Sequence, residues 1–209
     1  GFLHFPEEKG IAEAIKKHKC KAVLQLHHPG RQADSKVTGF ETVGPSPVPW
    51  ASFADIPREL TIAEIEELIQ CYAEAAQRTR DAGFDGVQFH GAHGYLICQF
   101  FSPLSNRRTD DYGGDVYKRS KFGLDIVKLA REKLGRKYPI LFRISGSEIE
   151  QGGLTTDDTR IIARLLQEAG VDCIDVSAGY YGTSEWVSQP VFMKPGCSVN
   201  YATEVRRDV

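Results

Sequence analysis

No hydrophobic run in this chain approaches 18 residues, so the sequence offers no membrane-spanning helix. Charge of neither sign dominates. Lys and Arg number 26 against 28 Asp and Glu, a net charge of −2, which gives no electrostatic footprint for nucleic acid or for an anionic membrane. The five cysteines (Cys20, Cys71, Cys98, Cys173, Cys197) contain no Cys-x-x-Cys and no iron–sulfur spacing. They read as reduced, mostly buried residues of a cytoplasmic protein. Methionine is nearly absent: Met193 is the only one, and the chain opens on Gly1, which suggests a fragment or a processed product. The opening GFLHFPEEKG lacks the basic-then-apolar order of a signal peptide. What is present is ordinary globular composition, 41% hydrophobic and 26% charged.

Helical and strand-like segments alternate along the chain. An amphipathic helix is expected over Pro6–Lys19, with Ile11, Ala12, Ala14 and Ile15 apolar and Glu7 and Glu8 in its first turn. Lys21–Leu26 and Pro139–Ser145 read as short, buried parallel strands, and Gly86–His90 and Val171–Val176 as strands. Between them, Thr61 and Glu64 form a capping box for a helix reaching about Asp81. A second helix is expected from Val116 to Leu134. A third spans Asp157–Ala169, capped by Thr155 or Thr156 and ended by Gly170. Gln32–Pro57 is long and rich in Pro, Gly and Ser, as in a lid or binding loop, and NYATEVRRDV can begin a further helix. Such alternation implies a parallel sheet with right-handed crossovers.

Polar residues stand out in three of the strands. In Gly86–His90 side chains alternate, so Gln88 and His90 share a face. His93 and Tyr95 follow among Gly91, Ala92 and Gly94, which let the chain turn at the strand's carboxyl end. Three readings compete for this cluster. The histidines can be satisfied core residues. They can be two ligands of a metal-dependent hydrolase, though no acidic third ligand follows at a familiar spacing. Or the imidazole N–H groups hold a developing enolate oxygen while a phenol, protonated at neutral pH, supplies a proton. Gln25 interrupts an apolar strand and Arg143 another. Each has a structural reading, Gln25 satisfied by neighbouring backbone and Arg143 in an ion pair across the fold. Tyr180 and Tyr181 follow the fourth strand, and the sequence leaves open which of them faces a pocket.

The stretch FHGAHGYLICQFFSPLSNRRTDDYGG closely resembles the signature of the old yellow enzyme family, FMN-dependent ene-reductases, and most resembles its bacterial enoate and 2,4-dienoyl-CoA reductase-like branch. QLHHPGR resembles a second motif of that family, in which the glutamine holds the flavin ring. The resemblance implies a (β/α)8 TIM barrel. This chain would supply about four βα units of it, the central part of a single FMN-binding domain over residues 1–209, without the first strands and the last two, whose loops bind the FMN phosphate. It assigns cofactor binding to Gln25 and Arg143, substrate anchoring to His90 and His93, and the protonating phenol to Tyr95. His28 and Arg31 become scaffold for their loop, and Trp50 and Phe53 either substrate contacts or plugs. The implied reaction is reduction of the C=C bond of an α,β-unsaturated carbonyl compound by NAD(P)H, with hydride from flavin N5 and a proton from Tyr95. The expected partners are small molecules, with a homo-oligomer left open. The alternative is a non-catalytic truncated fragment that binds FMN weakly or not at all. Tyr117-Lys118 and Lys121 depart from the family's usual Glu-Asn and Arg, at positions expected to be structural.

Overall fold

A computed structural model describes residues 6–209, with side chains described from residue 10 onward, so the charges expected of Glu7 and Glu8 and the opening GFLHF lie outside the described residues. The elements run α1 (Pro6–Lys16), β1 (Val23–Leu26), α2 (Ser35–Thr38), β2 (Val43–Gly44), β3 (Arg58–Glu59), α3 (Ile62–Asp81), β4 (Gly86–Gly91), α4 (Leu96–Phe101), α5 (Val116–Leu134), β5 (Ile140–Ser145), α6 (Thr156–Ala169), β6 (Cys173–Ser177), α7 (Ser184–Val187) and α8 (Val199–Val205). A four-stranded parallel sheet has the order β1-β4-β5-β6, so each strand lies beside the next long strand of the sequence. Helices α3, α5 and α6 cover one face of it.

The long helices start where local chemistry tells them to. Thr61 caps α3 and Thr155 caps α6, each in a reciprocal capping box, with Glu64 and Asp158 as partners. Asp115 caps α5 by accepting from the Lys118 backbone N–H, and Gly170 ends α6 in the left-handed conformation at φ 112°. The outward side chains of the sheet are the core. Val87, Phe89, Ile140, Phe142 and Ile144 are fully buried and pack with Ile65, Phe122, Ile126 and Ile162 of the helices. The opposite face carries Gln25, Gln88, His90, Arg143, Ser145, Asp175 and Ser177 (residues brought into register by the strand pairing), so its polarity follows from strand alternation.

Several expectations need correction. β1 is not a buried strand. It is an edge with one neighbour, Val23 is 43% exposed, and Gln25 is exposed as well. Helix α1 buries only Ala12 of its expected apolar set, against Ala22 and Phe84, while Ile11 and Ile15 face solvent. The long loop 32–57 is not structureless. It holds α2, and β2 pairs in parallel with β3, formed by the two residues before the Leu60–Thr61 entry to α3. Its tip keeps Phe53 80% exposed, so Phe53 plugs nothing.

Candidate active site

Residues at the carboxyl ends of β4, β5 and β6 meet at one place. β4 ends at Gly91, where a Cβ would lie 2.3 Å from the Phe142 ring, so glycine lets the strand close down on β5 before turning. Two residues later His93 takes a left-handed backbone at φ 61°, uncommon for a non-glycine residue. Three polar contacts hold it there. Its N–H donates to Ser145 Oγ at 3.0 Å, its carbonyl accepts from Gln32 Nε2 at 2.9 Å, and it bridges in parallel to Tyr180. Ser145 in turn donates to the Gly179 carbonyl at 2.9 Å and so ties the loop after β4 to the loop after β6.

The result is a cluster of rings. His90 and His93 lie 5.0 Å apart and His90 and Tyr95 4.9 Å apart, centroid to centroid. Both histidines are buried and Tyr95 is half-buried. Burial pushes the His90 imidazole down to about 3, with His93, Arg143 and His27 adding to the effect. Burial and then Arg143 lower His93 to about 4, against Asp175. Desolvation and the Tyr181 hydroxyl raise Tyr95 to about 12. At neutral pH the cluster is therefore two uncharged imidazoles and a protonated phenol. His93 Nε2 is 2.6 Å from Ser177 Oγ, a hydroxyl that can donate to or accept from the ring nitrogen and so fixes the ring's orientation.

Below the rings the sheet face is a ladder of polar groups. Gln25 Nε2 donates to Gln88 Oε1 at 2.6 Å, and Gln88 Nε2 donates to Asp175 Oδ2 at 3.2 Å. Arg143 stands opposite His90 in register, its Nε 3.6 Å from the Asp175 carboxylate, so the ion pair expected as its structural role exists at long range. Arg143 Nε and His90 Nδ1 are nevertheless buried without a hydrogen-bond partner in the protein. Unmatched donors and amides on an open face fit a planar, acceptor-rich ring, which is the character of a flavin. Among the described residues no group of three His, Cys, Asp or Glu is placed to hold a metal ion.

The other residues singled out in the sequence bond within and between loops. His28 Nδ1 accepts from Gly30 N, and the buried Arg31 donates from Nη1 to the Val48 carbonyl. Gln99 fastens the β1 and β4 loops together, donating to the Pro29 and Gly94 carbonyls and accepting from Arg31 N. In the second half of the signature, Asn106 and Arg108 bond to backbone at Phe100, Tyr112, Pro45 and Leu60, so those residues hold loops. Trp50 stands 5.6 Å from Tyr181, and Tyr181, not Tyr180, turns its hydroxyl to Tyr95. Gln88 is visible from alternation, whereas Asp175 and Ser177 join the site only through the register that sets them beside Arg143 and Ser145.

Polar side chains gathered at the carboxyl ends of four parallel strands, with helices on the other face, are the arrangement of part of a (β/α) barrel. The chain belongs to the NADH:flavin oxidoreductase / NADH oxidase family, whose profile matches residues 4–196, and this is the family that its signature resembles. It is 45% identical over 200 residues to the NADH oxidase of Thermoanaerobacter brockii, covering 95% of this chain and 31% of that protein. It is 40% identical over 205 residues to the NADPH dehydrogenase of Geobacillus sp. (strain WCH70), covering 98% and 57%. Among solved structures, a 2-naphthoyl-CoA reductase in complex with 2-naphthoyl-CoA superposes with a TM-score of 0.88 at 28% identity, over 98% of this chain and 33% of that one. The chain thus spans between about a third and just over half of the length of these relatives. FMN is the cofactor of the family, and nicotinamide its reductant.

Proposed function

We propose that this chain carries the flavin-facing and substrate-facing part of an NAD(P)H-dependent ene-reductase that acts on the C=C bond of α,β-unsaturated carbonyl compounds. The observation that carries the reading is the pairing of two neutral imidazoles with a protonated phenol, the His90 ring 5.0 Å from His93 and 4.9 Å from Tyr95, above a face bearing Arg143. In this reading His90 and His93 donate ring N–H groups to the carbonyl oxygen, draw electrons from the alkene and hold the enolate as it forms. Neutral imidazoles suit this task because an imidazolium beside Arg143 would be repelled. Gln25 holds the pyrimidine edge of the flavin, its amide both donating and accepting. Arg143 sets a positive charge where negative charge gathers on reduction. FMN, once reduced by NAD(P)H, supplies the hydride for the β-carbon. Tyr95 gives its hydroxyl proton to the α-carbon.

Residues 1–209 are read as the central part of one barrel domain. The cysteines are not mostly buried as expected, since Cys20 and Cys173 are exposed and only Cys98 is buried, but all five are free, which fits a cytoplasmic enzyme. The rival reading is a polypeptide that keeps the barrel's middle and holds FMN weakly or not at all. It draws support from the edge strand β1 and the exposed amide face beside it.

The test is an anaerobic rapid-mixing experiment on the FMN-loaded chain with NAD(P)H and then a cyclic enone. Tyr95→Phe is expected to slow alkene reduction about 10²–10⁴-fold, as loss of a general acid does, with a far smaller effect on flavin reduction. Equal slowing of both half-reactions would remove Tyr95 from the proposed role.

A further inference from the structure

Tyr95 packs its phenol, half-buried, against His90 and His27, with ring centroids 4.9 Å from each. Its hydroxyl has one polar contact in the structure, the Tyr181 hydroxyl at 3.3 Å. Tyr181 comes from the loop after β6, 86 positions further along the chain, and is 43% exposed. The His93–Tyr180 bridge holds that loop against the site, and Trp50 packs edge-on against Tyr181 at 5.6 Å. One phenol faces the reacting centre and the other faces water, with their oxygens in contact.

We infer that Tyr181 is a proton-relay residue that reprotonates Tyr95 from solvent during alkene reduction. The inference rests on the ene-reductase reading and concerns a residue that acts through Tyr95, hence a positioning residue. The balance is simple. The Tyr95 O–H bond breaks as the α-carbon C–H bond forms, and the Tyr181 O–H bond breaks as the Tyr95 O–H bond is restored. Tyr181 then takes a proton from water. The reaction's hydride comes from reduced FMN. Hydroxyl hydrogens rotate freely, so either oxygen can donate in turn.

Two measurements test it. In the chain alone, 3-fluorotyrosine placed at position 95 is titrated by ¹⁹F NMR. Tyr181→Phe is expected to shift the midpoint by half a unit or more; an unchanged midpoint overturns the contact on which the relay depends. In the FMN-loaded chain, Tyr181→Phe is expected to slow alkene reduction tenfold or more, to change its solvent isotope effect, and to leave enone affinity within twofold. Tyr181→His, which retains a proton-carrying group, is expected to recover most of the rate. If Tyr181→Phe matches the wild type while Tyr95→Phe is slow, the relay is wrong and the ene-reductase reading stands. If Tyr95→Phe is also fast, that reading fails and takes the relay with it.

Discussion

At the scale of single residues, burial keeps the two imidazoles of the candidate site uncharged, and this has a consequence for stability. His90 and His93 are held neutral in the fold, with pKa values lowered to about 3 and about 4, whereas an unfolded chain takes up those protons near pH 6.5. Between these values the unfolded state binds more protons, so stability from these groups is complete above about pH 6.5 and is lost as pH falls toward 4. The slope is at most about 1.4 kcal/mol per pH unit for each histidine. Urea unfolding at pH 7 and pH 4.5 is expected to show a smaller loss in a His90→Asn, His93→Asn variant than in the wild type. Parallel losses would mean that the imidazoles titrate normally. The site's legibility in sequence also divides at this scale. His90, His93 and Tyr95 crowd into six positions and announce themselves. Ser177 touches His93 from 84 positions away and Tyr181 touches Tyr95 from 86, through sheet register that local pattern does not encode.

At the scale of elements, what was readable was what is decided locally. The capping boxes at Thr61 and Thr155 and the left-handed Gly170 mark helix ends through contacts within a few positions. The two-residue pair β2–β3 left no periodicity to find, and the edge position of β1 depends on which strands are neighbours. The element most exposed to a single change is the end of β4. A methyl group at Gly91 would press on Phe142 Cε1 at 2.3 Å and approach the Arg143 carbonyl at 3.2 Å, with a fully buried ring that has nowhere to move. Gly91→Ala is expected to cost about 1–3 kcal/mol, the range for overpacking, read as a shift in urea midpoint at unchanged slope. Wild-type stability in that variant would show that β4 and β5 are less tightly closed than described.

At the scale of the molecule, four parallel strands present an apolar face to α3, α5 and α6 and leave a polar one, and that polar face is where the chemistry is proposed to lie. In a closed barrel such a face lines the interior and its mouth. Here Gln25 at the β1 edge is exposed and Arg143 half-buried. Family membership and the (β/α) architecture were legible because the signature is long and the strand–helix alternation regular, and because local sequence carries both. The claim that this face receives a flavin is most directly tested by FMN itself. The chain is incubated with excess FMN and desalted, the visible spectrum recorded, and the experiment repeated with Gln25→Ala, Arg143→Ala. The proposal predicts flavin absorbance that travels with the protein and falls about tenfold or more in the double variant. Flavin that separates completely from the wild-type chain, or is retained equally by both, would contradict it.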